Sequence, residues 1–193
     1  RVVLPRILTI PEIRQIRKEI PCEIETFIFG NHGLMVEGRC SLTNYLTGQS
    51  TNMDGVCSPA SDVEYTRDAD GSMASRLAGF TIDRFEAGEM AGYPTICKGR
   101  YTAPNRPEGY YAFEEPVSLN LSRLLPELID AGVHAFKIEG RQRSKSYVRN
   151  VVTAFRHAVD DIRAGRAANI ADLVALTEGQ KQTQGAFETK KWR

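Results

Sequence analysis

Three cysteines, Cys40, Cys57 and Cys97, are the residues whose type and spacing most plainly admit chemistry. Thiolates are soft ligands that suit an iron-sulfur cluster and, equally, a tetrahedral zinc ion with sulfur and histidine donors. Their separations of 17 and 40 residues contain no compact CxxC pair, so the fold must assemble any such site from distant segments. Cys22 precedes an apolar run and reads as a small structural thiol. A second group lies in KIEGRQRSK, where Lys137, Glu139, Arg141, Arg143 and Lys145 end or follow an apolar run. Paired guanidiniums bind carboxylates through parallel hydrogen bonds, which makes Glu139, Arg141 and Arg143 candidate substrate-binding residues. The alternative is a charged helix entry with Ser144 as N-cap. Glu114 and Glu115, before Pro116, fit either acid-base work or a simple strand end. Asn44, Asn52 and Asp54 are turn formers first and ligands second. His134 and His157 lack a paired motif and read as core or surface histidines. No HExxH and no recognisable Ser/His/Asp or Cys/His arrangement occurs, which argues against peptidase activity. Catalytic groups are not readable at this level.

The elements that must position these residues follow from periodicity. Val2–Ile7 is a short β-branched strand, and Thr9 caps a helix with Pro11 in its first turn and Ile13, Ile16 and Ile20 at helical spacing. Pro21 stops that helix, and Glu23–Phe29 is a second strand ending at Gly30. From Asn31 to Pro107 the pattern lapses, with only Ser41–Thr47 helical, and this stretch carries the three spaced cysteines. Alternation resumes with a strand at Tyr110–Phe113, a helix at Ser118–Ala131 closed by Gly132, a strand at Val133–Ile138 and a long amphipathic helix at Ser144–Ala164. A short helix at Ile170–Leu176 and a frayed polar tail from Gln180 complete the chain.

A strand-helix alternation with short crossovers favours an α/β fold with parallel strands. Four strand units are half of what a TIM-like β/α barrel of about 250 residues contains, and half a barrel exposes sheet edges that the other half must cover. The expected organisation is a partial barrel over residues 1–164, interrupted by the cysteine-bearing insertion at about 31–107, then a short helix and flexible tail over 165–193. The 193 residues, 41% hydrophobic and 25% charged, exclude wholesale disorder and collagen-like structure. A net charge of +1 argues against a strong overall field for nucleic acid and leaves room for a local basic patch. No apolar run approaches the roughly 18 residues of a membrane span. Four cysteines are too few for a disulfide scaffold, and RVVLPRILTI lacks a charged and then apolar leader, so a cytoplasmic location is expected. The Arg1 start is expected of a cleavage product or of part of a longer chain.

Several blocks in fixed order carry a family resemblance: ETFIFGNHGLMVEGRCSLTNYLTG, STNMDGVCSPASDVEY, AGYPTICKGRY, YAFEEPVSLN and AGVHAFKIEGRQRS. They resemble the UbiU-like members of the peptidase-like (collagenase-like) family, which serves oxygen-independent ubiquinone synthesis. The resemblance runs from about Val2 to Ala164 and implies the C-terminal half of a TIM-like β/α barrel, with its N-terminal half absent here. It also implies a 4Fe-4S cluster, three of whose cysteine positions match Cys40, Cys57 and Cys97. The fourth family cysteine would stand seven residues before Cys40, where this chain has Gly33. His32 beside it is a candidate replacement, and Cys22 would lie on the order of 20 Å away along its strand. Zinc remains an alternative to the cluster. The implied activity is oxygen-independent hydroxylation of a ubiquinone precursor, with a UbiV-like partner in a heterodimer and prephenate, a dicarboxylate, as oxidant. Two alternatives stand beside it: hydroxylation of an RNA base, as elsewhere in the wider family, and a non-catalytic assembly subunit without a complete cluster.

Overall fold

A computed structural model of the chain describes residues 1–33, 40–140, 143–170, 173, 176 and 181–188. The chain divides into two compact units, one of residues 1–32 and 117–193, the other of residues 33–116.

The first unit opens with β1 (Val2–Leu4), α1 (Ile10–Glu19) and β2 (Ile24–Asn31). Thr9 starts α1 because its hydroxyl accepts from the Glu12 backbone N–H, while the Glu12 carboxylate accepts from the Thr9 N–H at 2.8 Å. Two of the helix's otherwise unpaired end groups are thereby satisfied. Ile10 and Ile13 are buried on its inner face. β1 runs parallel to β2, with Leu4 opposite Thr26.

Within the second unit the chain forms two short helices, α2 (Ser41–Thr47) and α3 (Thr51–Asp54), and then two antiparallel sheets. The first sheet is a meander of β3 (Val63–Arg67), β4 (Met73–Leu77) and β5 (Phe80–Phe85); the second is a hairpin of β6 (Arg100–Ala103) and β7 (Arg106–Tyr111). The stretch expected to be irregular beyond Thr47 therefore contains two small antiparallel sheets. β4 and β5 are joined by two residues, Ala78 and Gly79, with φ of 49° and 80°, a turn whose twist matches paired strands. Alanine at the first of these positions hid the hairpin signal, which asparagine or glycine usually gives.

Returning to the first unit, the chain forms β8 (Val117–Asn120), α4 (Leu125–Asp130), β9 (Ala135–Ile138), α5 (Lys145–Arg163) and β10 (Lys181–Thr183). Thr26 pairs with both Leu4 and Phe136, and Phe29 with both Ile138 and Asn120. One edge of β2 thus carries β9, and the other carries β1 and then β8. The fold is mixed α/β, and the described strands of this unit make one open five-stranded sheet rather than a closed barrel. β8 is antiparallel to β2, unlike the parallel β1 and β9.

Three expectations are corrected here. Residues 118–120 are strand, not the start of a helix, because Ser118, Leu119 and Asn120 are all buried and the helix begins only where Pro126 fits its first turn. The strand near Tyr110 pairs with β6 in the second unit and is not a strand of the main sheet. Residues 181–188 of the C-terminal tail are not frayed: β10 pairs in parallel with β8, and Phe187 is fully buried. The strand pairing uses backbone groups, to which a polar sequence is indifferent. Of the expected helix at Ile170–Leu176, residues 171, 172, 174 and 175 lie outside the described residues.

The core of the first unit packs Ile28, Phe29, Leu125, Val151 and Phe155 against α1. Phe29 and Phe155 meet edge to face at 5.3 Å. Ser144 caps α5 by accepting from the Tyr147 N–H at 3.1 Å, as the sequence indicated.

Candidate functional site

Cys40, Cys57 and Cys97 all belong to the second unit. Cys40 caps α2, its sulfur accepting from the Thr43 N–H at 3.4 Å. The buried Thr43 hydroxyl lies 3.3 Å from that sulfur and 3.1 Å from the Cys57 carbonyl, which it reaches as a donor. The two cysteine segments are thus tied at one threonine. The Tyr93 hydroxyl adds a third strap by donating to the Ser58 carbonyl at 2.9 Å.

Cys97 sits in a 3-10 turn, Ile96–Lys98, between β5 and β6. Its carbonyl accepts from the Glu114 N–H at 3.0 Å, and the Tyr101 hydroxyl bridges the turn by donating to the Ile96 carbonyl at 2.7 Å. Gly99 is required by space: a Cβ there would overlap the Ile82 carbonyl oxygen and stand 2.7 Å from the Tyr101 hydroxyl. Burial pushes the Cys97 thiol up to about 11, with Lys98 opposing and the charges of Glu114, Cys57 and Cys40 adding to the rise. Burial, aided by Cys97 and Asp83, likewise pushes Tyr101 up to about 12.

The charges on Cys40 and Cys57 are therefore felt at Cys97, and the three sulfurs share one electrostatic neighbourhood. Without a cation the charges of Cys40 and Cys57 oppose ionisation of Cys97; a bound soft cation would reverse that effect. In donor chemistry this set fits a thiolate-held iron-sulfur cluster or zinc. Among the described residues, no three His, Cys, Asp or Glu side chains are arranged to hold a metal ion.

A raised thiol pKa favours the native state below the unfolded value of 9.0, and that stabilisation is lost as pH rises from there through about 11. In metal-free protein, iodoacetamide should accordingly modify Cys97 about 100-fold more slowly at pH 8 than an unshifted thiol, with a midpoint near 11. A peptide-resolved rate profile with its midpoint at or below 9.0 would contradict the burial of this sulfur.

His32 lies in the first unit, its N–H donating to the Val117 carbonyl at 3.1 Å and its ring packed beside Gly185. Cys22, also in the first unit, is a half-buried free thiol between α1 and β2. Asn44 is an ordinary residue of α2. The side chains of Asn52 and Asp54 lie outside those described, as does Arg141.

Glu139 follows β9 at the end where parallel β1 and β2 also finish, and its carboxylate is bound by Arg6 at 2.6 Å. Arg6 also donates to the Asn31 carbonyl at 3.0 Å and lies 4.0 Å above the Phe27 ring. The approach of the strands is tight, since Gly30 has φ of 119° and a Cβ on it would stand 2.7 Å from the Glu139 Cβ. Sequence reasoning missed Arg6, although its place just after β1 mirrors that of Glu139 after β9. Arg143 turns back on Gly140, its N–H donating to that carbonyl at 3.1 Å, and its guanidinium lies 5.6 Å from the Tyr147 ring.

Fold and site together define a mixed α/β protein whose thiol-bearing unit, with two antiparallel sheets, is inserted along the sequence between the segments of the other unit. The sequence profile of Peptidase family U32 matches residues 1–191, and the chain belongs to that family. It is 31% identical over 191 residues to "tRNA hydroxylation protein P" of Escherichia coli, covering 91% of this chain and 42% of that protein. It is 31% identical to "tRNA hydroxylation protein P1" of Bacillus subtilis, covering 83% of this chain and 32% of the relative. With the "23S rRNA 5-hydroxycytidine C2501 synthase" of E. coli it shares 28% identity over 94% of its own length and 22% of the other's. The chain thus spans well under half the length of these relatives. No solved structure matches it. No helix among the described residues is long and apolar enough to cross a membrane.

Proposed function

We propose that this chain is the thiol-bearing part of a U32 protein that hydroxylates a base in RNA, with Cys40, Cys57 and Cys97 holding an iron-sulfur cluster. The observation that carries the reading is that Thr43 ties the Cys40 sulfur to the Cys57 carbonyl in the unit that also holds Cys97, whose thiol is raised in part by the charges of the other two. The names of the relatives support the choice of RNA. When bound, a 4Fe-4S cluster supplies one-electron chemistry or an open iron position for a substrate atom. The chain's own residues do the rest. The Thr43 N–H donates to the Cys40 sulfur and fixes it at the start of α2, and the charge of Lys98 favours the Cys97 thiolate. Arg143, with Arg141, offers guanidinium groups to a dicarboxylate oxidant such as prephenate. In this reading the main sheet is part of a TIM-like barrel completed by another segment of the polypeptide.

A second reading keeps the cluster and makes a ubiquinone precursor the acceptor, with a UbiV-like partner; the order of the sequence blocks favours it. Both are tested by purifying the protein anaerobically, measuring iron, sulfide and zinc, and scoring hydroxylated nucleosides and hydroxylated quinone precursors in cells lacking it. Iron and sulfide in equal amounts, lost in Cys40→Ser, Cys57→Ser and Cys97→Ser, with hydroxylated nucleosides missing from the mutant cells, is the expected result. Hydroxylated quinone precursors missing instead selects the second reading. Zinc alone, or no metal, overturns the cluster and leaves a zinc site or an assembly subunit.

A further inference from the structure

The connection from β5 to β6 runs from Glu86 to Gly99 and carries Cys97 near its far end. One side chain closes it. Arg100, the first residue of β6, places Nε 2.6 Å from the Asp83 carboxylate of β5 and donates to the Arg84 carbonyl. Its guanidinium also reaches Glu89, inside the connection, at 2.9 Å and lies 5.3 Å from the Phe85 ring. Asp83 is only 5% exposed, so its carboxylate is withdrawn from water, while the Arg100 side chain remains partly exposed. Removing one partner of such a pair leaves the other charge buried and uncompensated. The fork geometry matters, because a lysine ammonium cannot span two carboxylates and a carbonyl in this way. Gly99 and Tyr101, on either side of Arg100, are the residues whose close contacts fix the turn at Cys97.

We infer that Arg100 is a positioning residue for Cys97: by clamping Asp83, the Arg84 carbonyl and Glu89, it holds the turn that keeps this one sulfur half-buried in the unit it shares with Cys40 and Cys57. The inference is independent of which ion or cluster the thiols serve. A clamp of this kind acts on one sulfur, whereas a general contribution to stability acts on all three, because global opening of the unit exposes them together. The two cases are separable in one experiment. The full chain, treated with a chelator, is labelled with iodoacetamide at pH 8 under native conditions, and each cysteine's rate is read from its own peptide. Arg100→Gln should accelerate Cys97 at least tenfold while Cys40 and Cys57 change less than twofold. Arg100→Lys, which keeps the charge but loses the fork, should fall between that variant and the wild type at Cys97 alone. Glu89→Gln removes only the half-exposed partner and should give a two- to threefold acceleration with the same selectivity, in a chain whose folding is least disturbed. Equal acceleration of all three cysteines in the Lys and Glu89 variants overturns the inference, and so does an unchanged Cys97 rate in Arg100→Gln.

Discussion

Phe187→Ala is expected to lower the unfolding free energy of the first unit by about 3–5 kcal/mol, the range for emptying a fully buried aromatic site. The residue stands in a segment that is polar on either side, where an exposed aromatic would cost almost nothing. It is instead 0% exposed, and its main chain is also used: the Phe187 carbonyl accepts from the Ile10 N–H at 2.9 Å. Ile10 is the first residue of α1, so its N–H has no partner within the helix, and Phe187 supplies one from the far end of the chain. The neighbouring pairing of β10 with β8 is reinforced by an Asn120 to Gln182 side-chain bond of 2.8 Å. Alanine would keep the backbone bond and lose the packing; Phe187→Leu refills part of the volume and should cost about 1–2 kcal/mol. Urea unfolding followed at a probe in the first unit measures both. A shift of less than about 0.5 kcal/mol for the alanine variant, the level of an ordinary surface substitution, would show that the side chain does not anchor this segment.

What the sequence made legible, and what it did not, follows from where each signal resides. Thr9 with Glu12, and Ser144 before a periodic apolar face, announce α1 and α5 because capping and amphipathicity are local. β2 and β9 were likewise visible as short apolar runs. β8 was not, since LNLSRLL matches a helical period and only the pairing of Leu119 with Gly30 makes its first residues a strand. β10 was invisible because its stabilising groups are peptide bonds. In the second unit, Arg76 faces Thr81 and Ser75 faces Asp83 with an irregularity between them, so the alternation that marks a strand is interrupted midway. The site shows the same division. Cys40, Cys57 and Cys97 were identifiable by type, but their segments are held by Thr43, Tyr93 and the turn at Gly99, through contacts spanning 14 to 35 residues that no spacing encodes. Arg6 and Arg100 carry no local signal at all; each is defined by a carboxylate far away in the chain.

Gly99→Ala is expected to destabilise the second unit by about 1–3 kcal/mol or more and to expose the half-buried Cys97 further. The argument rests on space alone, because the Gly99 backbone has φ of −83° and ψ of 152°, which any residue adopts without strain. The added methyl would collide with the Ile82 carbonyl, which belongs to the backbone of β5 and has no rotamer by which to withdraw, and with the Tyr101 ring and hydroxyl. Relief requires the 3-10 turn to move away from β5, breaking the 2.7 Å bond from Tyr101 to Ile96 and loosening the Cys97 carbonyl from Glu114. Tyr101→Phe separates the contributions. It removes the hydroxyl, costs about 1 kcal/mol for the lost bond, and leaves the backbone collision in place. The double variant should therefore remain close to Gly99→Ala in stability instead of recovering wild-type behaviour, a less than additive cycle for neighbours that share one cause. Cys97 labelling at pH 8 should rise with each loss of stability. If Gly99→Ala matches the wild type in both unfolding and labelling, the turn is not pressed against β5, and the sulfur must owe its burial to something other than this contact.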